Sequence, residues 1–364
     1  MKKYKVCVYA ISKNEEKFVS RWVESMKEAD EIYVLDTGSS DDTVKKLREL
    51  GVQVEEKKID PWRFDVARNL SLAMVDENAD ICVCTDLDEV FVPGWRDKLE
   101  KVWKEGTDRL AYRYNWSFDE NGKPAVHFYI EKIHRRHHYQ WTHPVHEILT
   151  FDGKEEKKIT ADEIVLNHYP DVTKSRASYL PLLELSVQED PEDDRNMHYL
   201  GREYMYYGQY EKAIETLKRH LSLKRATWRD ERCASMRFIA RCYKNLGKIE
   251  EAKDWLEKAM KEAPYLRDPF MERALLAYHL EDWEGVLLYT MKALKIKLHK
   301  ESYINEVFSF NETPYDLLSL AFCDYGEYEL AATACQKALA FNPKNERIKN
   351  NLAFIQKKIE KNRT

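Results

Sequence analysis

From about Arg195 onward the chain repeats itself, and that repetition constrains the fold more than any other feature. Leu200-Gly201 and Tyr204 precede Gly208-Gln209-Tyr210-Glu211-Lys212-Ala213. The same order returns as Ala240, Tyr243 and Leu246-Gly247-Lys248-Ile249-Glu250-Glu251-Ala252, then Ala259 and Pro264. A third copy has Ala274, Tyr278, Asp282-Trp283 and Ala293. A fourth has Ala321, Tyr325-Gly326-Glu327-Tyr328, Ala331, Ala338 and Pro343. Positions 249 and 283 stand 34 apart, whereas 210 to 249 is 39 and 283 to 328 is 45, so two copies carry insertions. The third copy departs from the pattern, with Gly285 and Val286 where a small residue opens the second helix elsewhere. Small residues let paired helices approach, aromatics fill the gaps between pairs, and neither face is buried until units stack.

The pattern resembles the tetratricopeptide repeat, a helix-turn-helix of about 34 residues. It implies an all-α repeat domain over residues 191–364. The first half of the chain reads differently. Lys5–Ile11, Glu31–Leu35, Val52–Glu55 and Ile81–Thr85 are predicted strands. Between them lie predicted helices at Glu15–Lys27, Thr43–Leu50 and Asp65–Val75, the first with Phe18, Trp22, Val23 and Met26 on one side. Strands alternating with helices imply a mainly parallel sheet covered on both faces. After about residue 108 come longer alternating runs, Arg109–Trp116 and Ala125–Ile133, joined by an Asn121-Gly122 turn signal. A mixed sheet with a parallel and an antiparallel half results. The expected domains are 1–190, with a linker from about 170, and 191–364.

At 364 residues the chain is long enough for two cores. A net charge of −5 argues against a surface that coats nucleic acid, which needs a basic excess. No apolar run approaches the roughly 18 residues that span a bilayer. The basic start, Met1-Lys2-Lys3-Tyr4-Lys5, leads into a short apolar stretch closed by Lys13-Asn14-Glu15-Glu16, which fits a first buried strand better than a secretory signal. Seven scattered cysteines fit buried thiols in a reducing cytoplasm, and Cys82 and Cys84 alternate onto one strand face. The reading is a cytoplasmic protein.

The residues that can carry chemistry gather at strand ends. Ile81–Val83 runs into Cys84-Thr85-Asp86-Leu87-Asp88-Glu89. Residues two apart at a strand end project the same way, so Asp86 and Asp88 can reach one hard cation, which in turn binds diphosphate oxygens. Carboxyl edges of open α/β sheets are where ligands bind. Val34-Leu35-Asp36 also ends a strand in an acid, followed by Thr37-Gly38-Ser39-Ser40-Asp41-Asp42-Thr43 and a capped helix start. Ser12-Lys13-Asn14-Glu15 closes the first strand, and Ala67-Arg68-Asn69 lies in a helix nearby.

On these residues, positions 1 to about 120 resemble the family 2 glycosyltransferases, which have the GT-A fold. The Asn14-Glu15 pair matches, as do Asp36, Gly38, Ser39, Asp41 and Thr43, the Ala-Arg-Asn, and the Asp-x-Asp element Asp86 and Asp88. With its repeat tail the chain is similar to bacterial peptide- and protein-modifying members, including the bacteriocin S-glycosyltransferases. The resemblance implies a nucleotide-sugar donor, with a uridine diphosphate sugar as the first expectation, bound by Asn14, Glu15, Asp36, Gly38, Ser39, Arg68 and Asp86. It also implies manganese or magnesium on Asp88 and Asp86, and a single displacement that inverts the anomeric centre. His168, in Asn167-His168-Tyr169-Pro170 at the end of the last strand, is the candidate to complete the metal shell.

A later acid that many relatives use as base has no obvious copy here. The substitute is Trp141-Thr142-His143-Pro144-Val145-His146-Glu147, where Pro144 stiffens the backbone and Glu147, or else His146, can take the acceptor proton. Lys132-Ile133-His134-Arg135-Arg136-His137-His138 reads as a solvated hairpin end, with phosphate binding as the alternative. Repeat grooves commonly hold peptides, which favours a peptide or protein acceptor over a glycan or lipid-linked one or a non-catalytic scaffold; exposed repeat faces also self-associate, so a homo-oligomer is compatible.

Overall fold

The computed structural model describes residues 4–119, 122–171, 179–298 and 302–363. The chain divides into two compact units, Met1–Glu189 and Asp190–Thr364.

The first unit begins with β1 (Val6–Ser12), α1 (Glu16–Met26), β2 (Glu31–Asp36), α2 (Thr43–Glu49), β3 (Gln53–Glu56), α3 (Phe64–Met74) and β4 (Ile81–Cys84). It continues with β5 (Glu89–Phe91), α4 (Trp95–Val102), β6 (Arg109–Phe118), β7 (Pro124–Arg135), β8 (Tyr139–Thr142), β9 (Ile148–Phe151), β10 (Lys158–His168) and α5 (Tyr179–Glu189). Eight strands form one sheet in the order β3-β2-β1-β4-β7-β6-β10-β5, and β8 and β9 pair separately. Strands β3, β2, β1 and β4 are parallel, and β7 is antiparallel to both β4 and β6. The mixed sheet is as expected, but its second half is not simply antiparallel. Strand β10 returns parallel to β6, so its carboxyl end lies on the same edge as those of β1, β2 and β4. Long-range pairing of this kind leaves no local signal. Gly122 takes a left-handed φ of 74°, as its turn requires, while Asn121 lies outside the described residues, as do residues 172–178 of the expected linker.

Period-2 alternation divides the two faces of the sheet. Val6, Val8, Ala10, Ile81 and Val83 point into a core built with Phe18, Trp22 and Met26 of α1. Cys7, Tyr9, Cys82 and Cys84 point the other way, against Leu72, Val75, Trp141 and Leu149. Because both faces are covered, β1 is almost wholly buried and reads as a continuous apolar run. Short β5 and α4 were not among the expected elements: β5 is three residues beginning with a glutamate, and α4 carries its apolar Trp95, Leu99 and Val102 at helical spacing over only two turns.

The second unit stacks helix pairs: α6 (Asp194–Tyr206) with α7 (Tyr210–Ser222), α8 (Arg229–Asn245) with α9 (Ile249–Glu262), α10 (Asp268–His279) with α11 (Trp283–Lys295), and α12 (Thr313–Asp324) with α13 (Tyr328–Phe341). Helix α14 (Glu346–Arg363) follows. The repeat alanines Ala213, Ala252, Ala259, Ala274, Ala293, Ala321, Ala331 and Ala338 are all fully buried. At Gly201 the helices come so close that a Cβ would stand 2.5 Å from Leu217 Cγ. The longest insertion is ordered by polar bonds: Asp268 Oδ1 accepts from Glu306 N at 2.7 Å and Ser309 Oγ at 2.9 Å, and Arg237 donates to Ile304 O at 2.8 Å.

Within each pair one residue turns the chain in the left-handed region. Gly208, Gly247 and Gly326 do so at φ 71°, 73° and 77°, but the third repeat uses Glu281 at φ 56°. An L-residue there costs about 1–2 kcal/mol, of which glycine's larger unfolded-state entropy would return part. Glu281→Gly is therefore expected to raise unfolding stability by roughly 0.5–1 kcal/mol, measured by chemical denaturation. In the same experiment Gly201→Ala is expected to lower it by on the order of 1 kcal/mol, because overpacking outweighs the gain in helix propensity.

Candidate active site

Two loops at the carboxyl edge are zipped together by the motif residues. Asn14, in the left-handed region at φ 55°, donates its amide to Ser39 Oγ at 2.8 Å and accepts from Ser40 N at 2.7 Å through Oδ1. Glu15 N donates to Thr43 Oγ1 at 2.8 Å, and Glu16 N to Asp41 Oδ2 at 3.2 Å. Asp41 and Thr43 thus satisfy amides that would otherwise be orphaned at the start of α1. Partial burial pushes the Asp41 carboxyl up, but bonds from Thr43 and the Glu16 amide outweigh it and hold it below the usual range. A shallow cavity of about 440 Å³ lies beside these loops, lined by Asn14, Glu16, Lys17, Asp41, Lys46 and Asp171. It does not reach Asp86 or Asp88, where the convergent charges lie.

Asp36 is 1% exposed, and its acceptor sites are filled. Oδ1 accepts from Gly38 N and Ser39 N at 3.0 and 2.8 Å, and Oδ2 from Ser12 Oγ and Ser39 Oγ at 2.7 and 2.5 Å. A carboxylate has about four lone-pair sites. In this structure Asp36 shapes the turn, with Gly38 at φ 111°, and a direct bond to a nucleotide requires one of the serines to turn away.

The second cluster is built on α3. Ala67 is buried against the sheet. Asn69 clamps β8 with two 2.8 Å bonds, Nδ2 to Trp141 O and Trp141 N to Oδ1. Between them Arg68 reaches outward. Its Nη2 meets Asp86 Oδ1 at 2.8 Å, its Nε pairs with Glu147, its Nη1 meets Cys84 Sγ at 3.3 Å, and the guanidinium lies 5.2 Å from the Trp141 ring centroid. The 143–147 segment is hooked to the same helix, because Phe64 N donates to Pro144 O at 2.9 Å. His146, at φ 52°, sets its ring edge-on to Tyr179 at 5.8 Å. Glu147, not His146, therefore joins the charge cluster.

Lys132 completes it, with Nζ 3.1 Å from Asp86 Oδ2 and 3.3 Å from Glu89 Oε1. Glu89 also accepts from Tyr114 Oη at 2.7 Å and from Asp86 N at 2.8 Å. Burial opposes charge on Asp86, yet Arg68 and Lys132 hold its carboxyl well below the usual range. Burial pushes Glu89 up. Asp86 was expected to share a cation with Asp88, but β4 stops at Cys84 and the two acids leave a turn toward different partners. Both oxygens of Asp86 are paired with protein cations, Oδ1 with Arg68 and Oδ2 with Lys132.

Asp88 faces His168 instead, with Nε2 3.4 Å from Asp88 Oδ2. The imidazole Nδ1 lies 3.1 Å from Trp116 O, and the ring stacks on Trp116 at 4.4 Å. A carbonyl only accepts, so Nδ1 carries the proton and Nε2 is the atom free to bind a metal. One carboxylate oxygen and one imidazole nitrogen, converging at the sheet edge, are a donor pair that suits manganese or another first-row divalent ion.

Sequence reasoning named Lys132 only as the start of a basic cluster and Glu89 only as a neighbour of Asp88, and it did not name Tyr114. The signal available for Lys132 was its place in that basic cluster at the end of β7. The expected solvated hairpin end is also corrected: only His137 and His138 are exposed. His134 is fully buried and accepts from Tyr9 Oη at 2.8 Å, while its Nδ1 donates to Arg135 O; burial takes it down to about 3, so it is neutral. Arg136 donates to Val75 O at 3.0 Å.

Residues 7–153 match the model of glycosyl transferase family 2, and residues 238–265 that of a tetratricopeptide repeat. The first half of the chain is thus similar to the family 2 glycosyltransferases and part of the second half to a tetratricopeptide repeat, which supports a glycosyltransferase. It is similar to lipopolysaccharide assembly protein B of Escherichia coli, with 25% identity over 178 residues, 48% of this chain and 42% of that protein. The chain thus spans less than half the length of the curated relatives it matches. Among solved structures, MamA is 18% identical with a TM-score of 0.38, covering 49% of this chain and 99% of that one. A thermophilic tetratricopeptide protein of Thermus thermophilus is 19% identical with a TM-score of 0.34, covering 50% and 90%.

Arg68 is 5% exposed between two carboxylates, so Arg68→Ala leaves uncompensated buried charge. It is expected to cost about 3 kcal/mol in equilibrium unfolding, and Arg68→Lys less. His168 is burdened by burial, yet the Asp88 carboxylate outweighs it and raises the imidazole above 6.5. The stability that follows is fully present below the unfolded value and fades as pH rises through the folded one. In metal-free protein, NMR titration of the imidazole is expected to show this elevation, and Asp88→Asn to abolish it.

Proposed function

We propose that this chain transfers a hexose from a nucleotide sugar, a uridine diphosphate sugar in the first instance, to a peptide or protein, with inversion at the anomeric carbon. The observation that carries the reading is the division of labour after β4. Asp86 is locked to Arg68 and Lys132, and Asp88 turns to His168, all at one carboxyl edge. Asp88 and His168 would hold manganese or magnesium, whose chemistry is to neutralise charge on a leaving nucleoside diphosphate.

The protein's own groups account for the rest. Buried Arg68 and partly buried Lys132 set two cations beside the acids, a field suited to a phosphate or to the oxygens of the donor sugar. Asn14, Glu15, Gly38 and Ser39 form the loop wall on which the nucleotide rests. In a single displacement the acceptor oxygen or sulfur attacks the anomeric carbon as the bond to diphosphate breaks, and one base takes the acceptor proton. Glu147 is our assignment for that base. Its pairing with Arg68 ties the position of the base to that of the donor site.

The repeats present the acceptor, since stacked helix pairs make extended surfaces suited to polypeptides. A glycan acceptor is the second reading, favoured by the similarity to a protein named for lipopolysaccharide assembly.

Calorimetric titration with uridine diphosphate and manganese tests the donor half. Binding is expected to require metal and to be lost in Asp88→Ala with the fold intact. Metal-independent binding unaffected by Asp88→Ala removes the metal assignment. Glu147→Gln is expected to keep donor binding and lose transfer by a factor of about 10²–10⁴. Unchanged transfer would eliminate Glu147 as base.

A further inference from the structure

The helical unit contains a cluster that neither the repeat architecture nor sugar transfer uses. Among the described residues, Asp194 at the start of α6, His220 near the end of α7 and Glu231 in the first turn of α8 bring one ligand atom each within 4.8 Å of one another. They come from three consecutive helices of the first two repeats. His220 is fully buried and Glu231 is 3% exposed, so this is not a solvated acidic patch.

The second observation is the imidazole itself. His220 Nε2 is buried, points into the cluster and has no hydrogen-bond partner. Its nearest carboxylate oxygen, Glu231 Oε1, is 3.5 Å away. That spacing is long for a charge-assisted hydrogen bond but close to the roughly 3.4 Å between ligand atoms on one tetrahedral ion with bonds of about 2.0–2.1 Å.

The surroundings prepare each ligand. Tyr303 Oη donates to Glu231 Oε2 at 2.9 Å, which leaves Oε1 facing the cluster. His220 Nδ1 lies 2.9 Å from Ser235 Oγ, and His198 Nδ1 lies 2.7 Å from the same oxygen. One hydroxyl proton serves only one ring. With the proton of His220 on Nδ1 and donated to Ser235, and the Ser235 hydroxyl donated to His198, the lone pair of His220 Nε2 faces the two acids. This is the arrangement by which a neighbour orients a metal-binding histidine.

We propose that Asp194, His220 and Glu231 bind a first-row divalent transition ion, of the zinc class, that ties α6, α7 and α8 together. One imidazole and two carboxylates favour such an ion over calcium or magnesium, which prefer all-oxygen shells. The half-buried Asp194 marks the side open to solvent, where water completes the shell.

The test uses the full chain carrying Asp88→Asn, which disables the other candidate metal site, stripped of metal and reloaded with cobalt or zinc. One cobalt per chain with ligand-field absorption bands is expected, together with a zinc-dependent rise in Tm. Both should be lost in Asp194→Asn and in Glu231→Gln. X-ray absorption of the zinc-loaded protein should show oxygen ligands, one imidazole and no sulfur. This last measurement needs no further variant, so it decides the matter even if both substitutions unfold the chain. Absence of bound metal in the folded protein, binding that survives both substitutions, or sulfur in the shell would overturn the site. Each of those results leaves a buried imidazole–carboxylate pair in its place.

Discussion

A guanidinium that is almost wholly buried has to be answered by negative charge, and Arg68 is answered twice, by Asp86 and by Glu147. Burial works against its charge, but the two acids outweigh that and hold it protonated. Three separate pieces of chain are fixed by this one group: helix α3, the turn after β4, and the segment that follows β8. Lys132 extends the network from β7 to Glu89 and so to the start of β5. Positions that are 64 residues apart, such as 68 and 132, are thereby held in one electrostatic unit. Loss of any member leaves a charge without its partner, which is the costly way to disturb such a network.

The same reasoning separates shape from chemistry among the motif residues. Asp36, Asn14, Asp41 and Thr43 spend their polar atoms on each other and on backbone amides. They make a rigid double loop. Asp88 and His168 are arranged differently, because the imidazole is oriented by Trp116 while its other nitrogen is left to face an acid. A motif that looks uniform along the chain thus divides into residues that build the edge and residues that face what binds there.

In the helical unit the apolar pattern accounts for the stacking, but its interior also holds a polar chain running from His198 through Ser235 and His220 to Glu231 and Tyr303. Arg237, also buried, joins Glu272 and the inserted segment near Glu306. Insertions between repeats are therefore not loose additions. They are bound into the stack through charges that a simple alanine-and-aromatic repeat has no use for.

Much of this was legible from residue order alone, wherever the cause is local. Short continuous apolar runs at Val6–Ser12 and Ile81–Cys84 assign buried strands. Small and aromatic residues at a 34-residue step assign helix pairs, and acids at strand ends mark the working edge. What pairs with what was decided only in three dimensions. Nothing near His168 in the chain says that β10 runs parallel to β6 and delivers it to Asp88. Nothing near Asp86 says that a helix and a distant strand supply its two cations, or that Asp36 spends its carboxylate on its own turn. Local propensity and periodicity act over a few residues, whereas register, burial and charge pairing are settled by the packing of the whole sheet. That is why the candidate residues could be read in order, and their partners could not.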